Sequence, residues 1–563
     1  MSEPRPPAGT PEYLESGSGS PLAPEATPPT EVAGSAGRRG RRRAWWIGGG
    51  VVLLAGVGAG AWAALSFFQQ GAQPAEALPS STVAYLSIDL DPSGGQKIDA
   101  FRTLNKFPAF KDEVGVNSVD ELRHKLGAEL VSQADCPGLD YDQDIDPWLG
   151  DRMAVAGVPI DGRPQLVAVV QVKDAGKARA GIATLEKCDD SDQDPGYTVH
   201  DGWLVLAQSQ DVADRVVAAT EKSTLADDAT YQKWTKAVGE AGVVNAYASP
   251  DAGRYLAQEL GGVFEGAMNG TGESFATSST TTRLATGSGS GAAGDTSDDP
   301  FTRALSSFRG GAATLRFTGD GLELAMAGDG SSGQLSDLTG TTGGALVQRL
   351  PDDTAAAAGI SFPKGWLDRY LDRMSDLFGS GLSRDDAVRE LSRETGLDIP
   401  GDIETLLGSG ATVSVGKDID LEAAENADTL SGLPIGVTVK GDPAAIEQVL
   451  GKVRAQVGDE DLGFLGFDSA GDLAAIGPTA AYRQHLLEGG NLGDDDTFRG
   501  VVPDAAHASS VLYVNLDALE PAISKAAAGD QETLDNLTPL RAIGVSTWHD
   551  GDTIRFSFKI STN

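Results

Sequence analysis

An internal repeat constrains the fold of this chain more than any other feature of its sequence. The run LPSSTVAYLSIDL at residues 78–90 returns as LPDDTAAAAGISF at residues 350–362. The motif Asp-Ile-acid-x-x-Leu-Gly occurs at 144–150 and again at 402–408, and five further blocks follow in the same order. Self-similarity of this extent predicts two copies of one structural unit.

The spacing between matching blocks also locates an insertion. Partners lie about 270 residues apart until the last block, where Asp320 and Asp550 are separated by 230 residues. The excess coincides with a stretch rich in Gly, Ser and Thr at 266–300, which predicts a flexible loop. We therefore predict one copy at 78–340, carrying this insertion, and a second copy at 341–563.

Hydrophobic periodicity indicates the fold class of each copy. Apolar residues alternate around Val167 and Val169 and around Trp203 and Val205, as in half-buried strands. Ala178, Ile182 and Leu185 are spaced as one face of a helix. Asp-Gly pairs at 320–321 and 550–551, each between two apolar runs, predict hairpins. Adjacent strands mixed with helices, without strict βαβ alternation, predict an α+β fold with a mainly antiparallel sheet.

An uncharged stretch of 25 residues, Ala44–Phe68, precedes the repeat. A bilayer core of about 30 Å needs about 20 helical residues, so this stretch predicts one transmembrane helix. Five Arg residues lie just before it, at 38–43, and the next Lys or Arg after it is Lys97. The positive-inside rule then places a disordered tail, 1–43, in the cytoplasm and everything after a linker at 69–77 outside the cell membrane. The glycines of the stretch permit self-association.

A cleaved signal peptide is the alternative to this anchor. Ala75-Glu76-Ala77 resembles a small-x-small cleavage site. The apolar run is longer than the 7–15 residues of a signal-peptide core, and the leader before it is unusually long. Both observations favour the anchor.

The part predicted to lie outside the membrane is strongly acidic. Of the 44 basic and 81 acidic residues in the chain, residues 1–43 hold six Arg and five Glu, which leaves 38 basic and 76 acidic residues, a net charge of −38. Such a charge argues against nucleic acid and against anionic membrane surfaces as partners.

Two cysteines, Cys136 and Cys188, both lie in the first copy. An even pair outside the membrane predicts a disulfide, and two free buried thiols are the alternative. The alternating Asp residues at 140–146 resemble a calcium loop, and the acidic cluster at 189–194 is a weaker second candidate. However, Ile145 and Asp151 stand where an EF-hand needs Gly and Glu. The motif shared by both copies predicts a short helix instead, with Asp144 or Asp402 as the N-cap and Gly150 or Gly408 at its end.

No catalytic motif stands out. The five His are scattered, and the sequence has no HExxH, no Gly-x-Ser-x-Gly and no P-loop. We therefore predict no catalytic, cofactor-binding or metal-binding residue. A carboxylate pair of a glycosidase is defined by its distance in space, so the sequence leaves that alternative open. Five Trp residues are interpreted mainly as core, with a sugar or lipid site as the alternative: Trp148, Trp203, Trp234, Trp366 and Trp548.

The order of an apolar span, an LP-x-x-T strand, a DI-x-x-x-LG turn and paired strands resembles an uncharacterised family of bacterial membrane-anchored proteins, domain of unknown function 3352. The resemblance extends over nearly all of the part outside the membrane, and the composition is typical of an actinomycete. It implies architecture and location only, because the family has no assigned activity.

These observations together predict a single-pass membrane protein with an extracytoplasmic, non-enzymatic binding or scaffolding module. Its partners would be an envelope protein or an apolar or glycan ligand. The alternatives are a hydrolase of envelope glycans that uses acidic residues, and a carrier of an apolar ligand. A ligand would lie between the two copies, because clefts at domain interfaces are favoured sites.

Overall fold

The computed structural model describes residues 72–90, 94–111, 115, 119–132, 136, 138–186, 195–255, 307–331, 339–378, 384–419, 432–456, 462–526 and 530–563. They form an α+β fold around a sheet of 16 strands. All of its strand pairs are antiparallel. This confirms the predicted fold class.

The strands fall into two sequential sets of eight. The first set is β1 Ala84–Asp89, β2 Leu149–Ile160, β3 Arg163–Val172, β4 Gly196–His200, β5 Trp203–Ala207, β6 Val244–Ala248, β7 Gly311–Thr318 and β8 Gly321–Asp329. The second set is β9 Thr354–Ser361, β10 Gly410–Gly416, β11 Ile435–Lys440, β12 Phe467–Ala470, β13 Leu473–Ile476, β14 Ala508–Asn515, β15 Leu540–Asp550 and β16 Thr553–Thr562.

The two sets meet at the middle of the sheet, where β8 pairs with β16. Ala325 of β8 lies opposite Ser557 of β16. Outward from β8 the order is β7, β6, β1, β2, β3, β5, β4, and outward from β16 it is β15, β14, β9, β10, β11, β13, β12. Each strand number in the second series is eight higher than its counterpart in the first.

Among the described residues, fourteen helices lie between β1 and β15 along the chain. They are α1 Gly94–Leu104, α2 Val119–Ser132, α3 Ala175–Glu186, α4 Gln210–Thr220, α5 Ala229–Val238, α6 Thr342–Gln348, α7 Trp366–Phe378, α8 Arg384–Thr395, α9 Gly401–Leu407, α10 Pro443–Arg454, α11 Ala480–Glu488, α12 Asp496–Val501, α13 Leu516–Ala526 and α14 Gln531–Leu537.

The hairpins and the helix stripe follow their sequence signals. The turn between β7 and β8 contains Asp320, and the turn after Asp550 joins β15 to β16, so both predicted hairpins are confirmed. Ala178 and Ile182 of α3 are buried, as the helical spacing predicts. In β5 the alternation does not extend to burial, because Leu204 between Trp203 and Val205 is also buried. Helix α3 covers the second face of the sheet there.

The Asp-Ile motif adopts a local structure that differs from the prediction. Tyr141–Ile145 forms a single π-helical turn capped by Asp140, and Asp402 lies inside α9. The N-cap assignments to Asp144 and Asp402 are therefore wrong. Each carboxylate instead accepts a backbone N–H four residues earlier: Asp140 N to Asp144 Oδ2 is 3.0 Å, and Asp398 N to Asp402 Oδ2 is 2.7 Å.

The two glycines of the motif also differ. Gly408 ends α9 with a φ of 57°, as predicted. Gly150 instead belongs to β2. A side chain at Gly150 would meet Gln171 of the neighbouring strand, so a close approach between strands explains the glycine there.

Three predicted segments lie wholly outside the described residues: the tail 1–43, the apolar stretch 44–68 and the loop 266–300. No helix within the described ranges is long and apolar enough to cross a bilayer. The described part of the predicted linker is packed, since Pro74–Ala77 forms a 3-10 turn with Ala75 and Ala77 buried.

Candidate apolar binding face

The two faces of the sheet differ in how they are covered. Helices α4, α5, α6, α11 and α12 all contact strands of one face, which is called here the covered face. Side chains directed to this face are buried, among them Tyr85 of β1, Tyr247 of β6, Ala312 of β7 and Tyr513 of β14. Two main core clusters lie between the covered face and these helices.

The opposite face carries two rows of apolar side chains in register across the central strands. The first row crosses β2, β1, β6, β7, β8 and β16 and consists of Val155, Leu86, Ala246, Ala313, Met326 and Phe556. The second row crosses β8, β16, β15, β14, β9 and β10 and consists of Leu324, Phe558, Val545, Leu512, Ala358 and Val413. These twelve residues are called here the apolar face.

The apolar face is exposed although none of its side chains is polar. Leu86 is 40% exposed, Met326 45%, Leu512 42% and Val413 48%. Ala358 is exposed as well, and the other seven are intermediate. An antiparallel sheet with one covered face normally alternates apolar residues inward with polar residues outward. Here the outward positions are apolar as well over ten adjacent strands, which span about 43 Å at 4.8 Å per strand.

The same face is covered toward its outer strands and over parts of several central strands. Leu204 of β5 packs with Trp148 and with Ala178 of α3, and Ala474 of β13 packs with Ile446 of α10. Helix α1 contacts β7 and β8, and α13 contacts β15 and β9. Among the described residues, these elements leave the middle of the face open.

A polar cavity of about 260 Å³ lies at the ends of three strands of the second set. Its lining residues are Asp352, Asp353, Thr354, Lys417, Asn515 and Ala518. The backbone N–H of Lys417 donates to the carbonyl of Asp353, and Asp353 Oδ1 lies 3.0 Å from His485 Nε2. Asn515 lies three residues after Leu512 on β14, and Lys417 lies four residues after Val413 of β10, so the cavity lies beyond the end of the second apolar row.

Buried carboxylates elsewhere are bound by cations. Glu323 on the covered face accepts from Arg316 Nε at 2.9 Å and from Ser557 Oγ at 3.1 Å, so it links β7, β8 and β16. Lys452 Nζ donates to Asp402 Oδ2 at 2.6 Å. Burial on its own raises the pKa of Asp402, but the hydrogen bonds from Lys452 and from the Asp398 N–H, with the charge of Lys452, hold that pKa below its ordinary value. These carboxylates stabilise the fold.

Burial also perturbs several tyrosines of the core. It is the main cause that raises the pKa of Tyr482 to about 12, and it raises the pKa of Tyr85 well above its ordinary value. The Tyr231 ring makes edge contacts with Tyr85 at 5.8 Å and with Tyr247 at 5.1 Å. Neutral, tightly packed phenols of this kind belong to the core rather than to a proton-transfer site.

The residues singled out in the sequence are not brought together into one site. Cys136 is partly buried, and Cys188 lies outside the described residues, so their disulfide stays a prediction. The acidic cluster 189–194 also lies outside them. Over the described ranges, no group of three His, Cys, Asp or Glu side chains is placed to hold a metal. Trp148, Trp203 and Trp234 are buried, as the interpretation as core residues predicts.

The apolar face itself is a feature that the sequence reasoning missed. A signal for it is present in strand β8, whose run LELAMA at 322–327 keeps apolar residues at both positions of the alternation except at Glu323. Such a run is typical of a strand buried on both faces. In this protein the second face lacks a cover over the middle strands described here.

Part of the chain matches a known family. Residues 47–195 match the family model described as “Protein of unknown function (DUF3352)”. The resemblance to DUF3352 is confirmed. The DUF3352 match begins inside the apolar stretch and extends through β1, β2, β3 and α3. It therefore covers less of the chain than predicted, since the predicted resemblance extends over nearly all of the part outside the membrane. No curated protein and no solved structure matches the chain.

Proposed function

We propose that this chain is a non-catalytic, membrane-anchored protein of the cell envelope that binds an apolar ligand on the apolar face. The observation that carries the proposal is the face itself: twelve uncharged, apolar side chains in two registered rows, none of them buried. A contiguous apolar surface on a soluble fold marks a binding site for a protein, a membrane or a ligand. Of the predicted functions, the carrier of an apolar ligand accounts for it best.

The membrane anchor is the second part of the proposal. It is supported by the 25 uncharged residues Ala44–Phe68 and by the Arg residues that precede them. Cleavage after Ala77 would remove Ala75 and Ala77, which are 1% and 7% exposed in the fold. This favours an anchor over a removed signal peptide. The test is thiol labelling of intact cells with single cysteines placed before and after the stretch. Labelling of the position before the stretch would contradict the orientation.

We also infer that the sheet arose by tandem duplication of an eight-strand unit. The support is the seven repeated blocks in the sequence, together with the equal strand order on the two sides of the β8–β16 pair. The test is to express residues 72–338 and 339–563, both without the apolar stretch, as separate chains in one cell. Co-purification of the two chains is expected, and two chains that fold without associating would contradict the arrangement.

Ligand binding can be measured with a fluorescent apolar probe. N-phenylnaphthylamine, which brightens in apolar surroundings, is titrated into residues 72–563 and into the Met326→Glu variant. A carboxylate in the centre of the face should weaken probe binding at least tenfold, a loss of about 1.4 kcal/mol. The matched control is Leu391→Glu on α8, since Leu391 is similarly exposed at 42% but lies away from the sheet.

Two results would contradict the proposal. One is equal probe binding by the wild type and the Met326→Glu variant. The other is the absence of probe binding together with a dimer that dissociates on the Met326→Glu change in analytical ultracentrifugation, which would make the face an interface between copies. Circular dichroism of both variants establishes that the fold is intact.

A further inference from the structure

We propose, on the basis of the ligand-binding function above, that the ligand is an alkyl amphiphile with a hydroxylated head group that carries no negative charge. The polar cavity at Asp352, Asp353, Lys417 and Asn515 takes the head group, and the neighbouring rows of the apolar face take the chain. The site thus combines a polar cavity with the neighbouring apolar face, which matches the polar head and apolar chain of an amphiphile.

Strand β10 connects the cavity to the apolar face. Lys417 directly follows Gly416, the last residue of β10, and Val413 lies four residues earlier on the same strand. At about 3.3 Å per residue these positions are about 13 Å apart. Val413 is in register with Ala358, and Ala358 with Leu512. All three are exposed, so a chain that leaves the cavity along β10 reaches exposed apolar surface about 13 Å away.

The groups lining the cavity suit hydroxyls. Carboxylates accept the hydrogen bonds that hydroxyls donate, while an ammonium and an amide NH₂ donate to hydroxyl oxygens. Asn515 Oδ1 accepts the backbone N–H of Ala518 at 3.0 Å, so Lys417 is the main donor of the cavity. Donors and acceptors side by side match a sugar-like head group.

The charges disfavour an anionic head group. Two carboxylates, Asp352 and Asp353, stand against one ammonium, Lys417, in a part of the chain with a net charge of −38. A phosphate or sulfate in the cavity would stand beside two like charges, which costs affinity. The alkyl chain carries no charge, so this balance of charge does not affect its binding.

The test uses the full chain in its own membranes and two photoprobes that share one tail. Dodecyl maltoside and dodecyl phosphate, each with a diazirine near the chain end, are irradiated with the membranes, and the labelled peptides are mapped by mass spectrometry. We expect the maltoside probe to label peptides of β9, β10 and β14 about tenfold more than the phosphate probe. Unlabelled dodecyl maltoside should compete with this labelling.

A charge reversal makes the test specific. In Asp352→Lys the preference between the two probes should fall to parity or reverse, because the cavity then carries two ammonium groups against one carboxylate. The matched control is Glu447→Lys on the exposed side of α10, which should keep the wild-type preference. Both sites are exposed, so neither change should disturb folding.

The outcomes separate this inference from the function on which it rests. Equal labelling by both probes on the apolar face, or a preference unchanged by Asp352→Lys, overturns the head-group assignment and leaves apolar binding standing. No labelling of the apolar face by either probe overturns both. Labelling that unlabelled dodecyl phosphate competes better than the maltoside also overturns the inference, since it indicates an anionic ligand.

Discussion

Replacing Glu323 by Gln tests whether a buried ion pair between β7 and β8 stabilises the middle of the sheet. Glu323 is 7% exposed and accepts from Arg316 Nε at 2.9 Å, from Arg316 Nη2 at 2.8 Å and from Ser557 Oγ at 3.1 Å. Gln is nearly isosteric, so the change leaves the charge of Arg316 largely buried without its counter-charge. Removing one partner of a buried pair costs about 3–5 kcal/mol. We expect about 3 kcal/mol here, because the Gln carbonyl still accepts one hydrogen bond.

The assay is urea unfolding of residues 72–563 followed by tryptophan fluorescence. The matched control is Glu390→Gln, which removes the same charge from the Glu390–Arg393 pair on α8, where both side chains are more than half exposed. An exposed pair contributes about 0–1 kcal/mol, so the control should unfold near the wild-type urea concentration. If Glu323→Gln unfolds at the same urea concentration as Glu390→Gln, the reasoning about the buried ion pair is refuted.

Three further predictions concern pH, packing and the disulfide. Because the pKa of Asp402 is lowered in the fold, its contribution to stability is complete above the ordinary pKa of Asp and is lost as the pH falls below about 4. In Asp402→Asn the melting temperature should therefore fall less steeply with decreasing pH in the acid range than in the wild type. Gly181→Ala should destabilise the fold by about 1–3 kcal/mol, because the new Cβ would lie 2.2 Å from a backbone oxygen. The control, Gly451→Ala on α10, places its Cβ in open space and should be neutral or stabilising by up to about 1 kcal/mol. Equal shifts of the two urea midpoints would contradict this prediction. Intact-mass spectrometry of residues 72–563, exported from the cell, should give a deficit of about 2 Da from the reduced mass if Cys136 and Cys188 are joined, and a fully reduced mass would exclude the bond.

Much of the fold is predictable from the sequence because its signals are local. The Asp-Gly hairpins depend on a few residues whose turn geometry is intrinsic, and the stripe of α3 depends on spacing alone. The position of Asp144 in its turn was not predictable, because an Asp side chain can accept a backbone N–H either as the N-cap residue or from inside the turn. Spacing in the sequence does not distinguish these two arrangements.

The β8–β16 pair and the open face could not be derived in the same way. The pair joins strands about 230 residues apart, and no turn residue specifies it. The outward apolar residues of β8, such as Leu324 and Met326, are visible in the sequence, but they predict a covered strand. Only the arrangement of the helices shows that these side chains lie on a surface, and the polar cavity appears only when three strand ends meet.

The central strand pair has a consequence for how the chain folds. The ribosome synthesises β8 long before β16. Until β16 is available, β8 is an edge strand of the first eight-stranded set, with its backbone hydrogen-bonding groups unpaired on one side. Such an edge is a template for association between chains, and closing a contact over so many residues is slow. The polypeptide is therefore most vulnerable to aggregation in the interval between the synthesis of these two strands, and a chaperone that shields the edge of β8 during that interval would raise its yield more than one that acts on the finished protein.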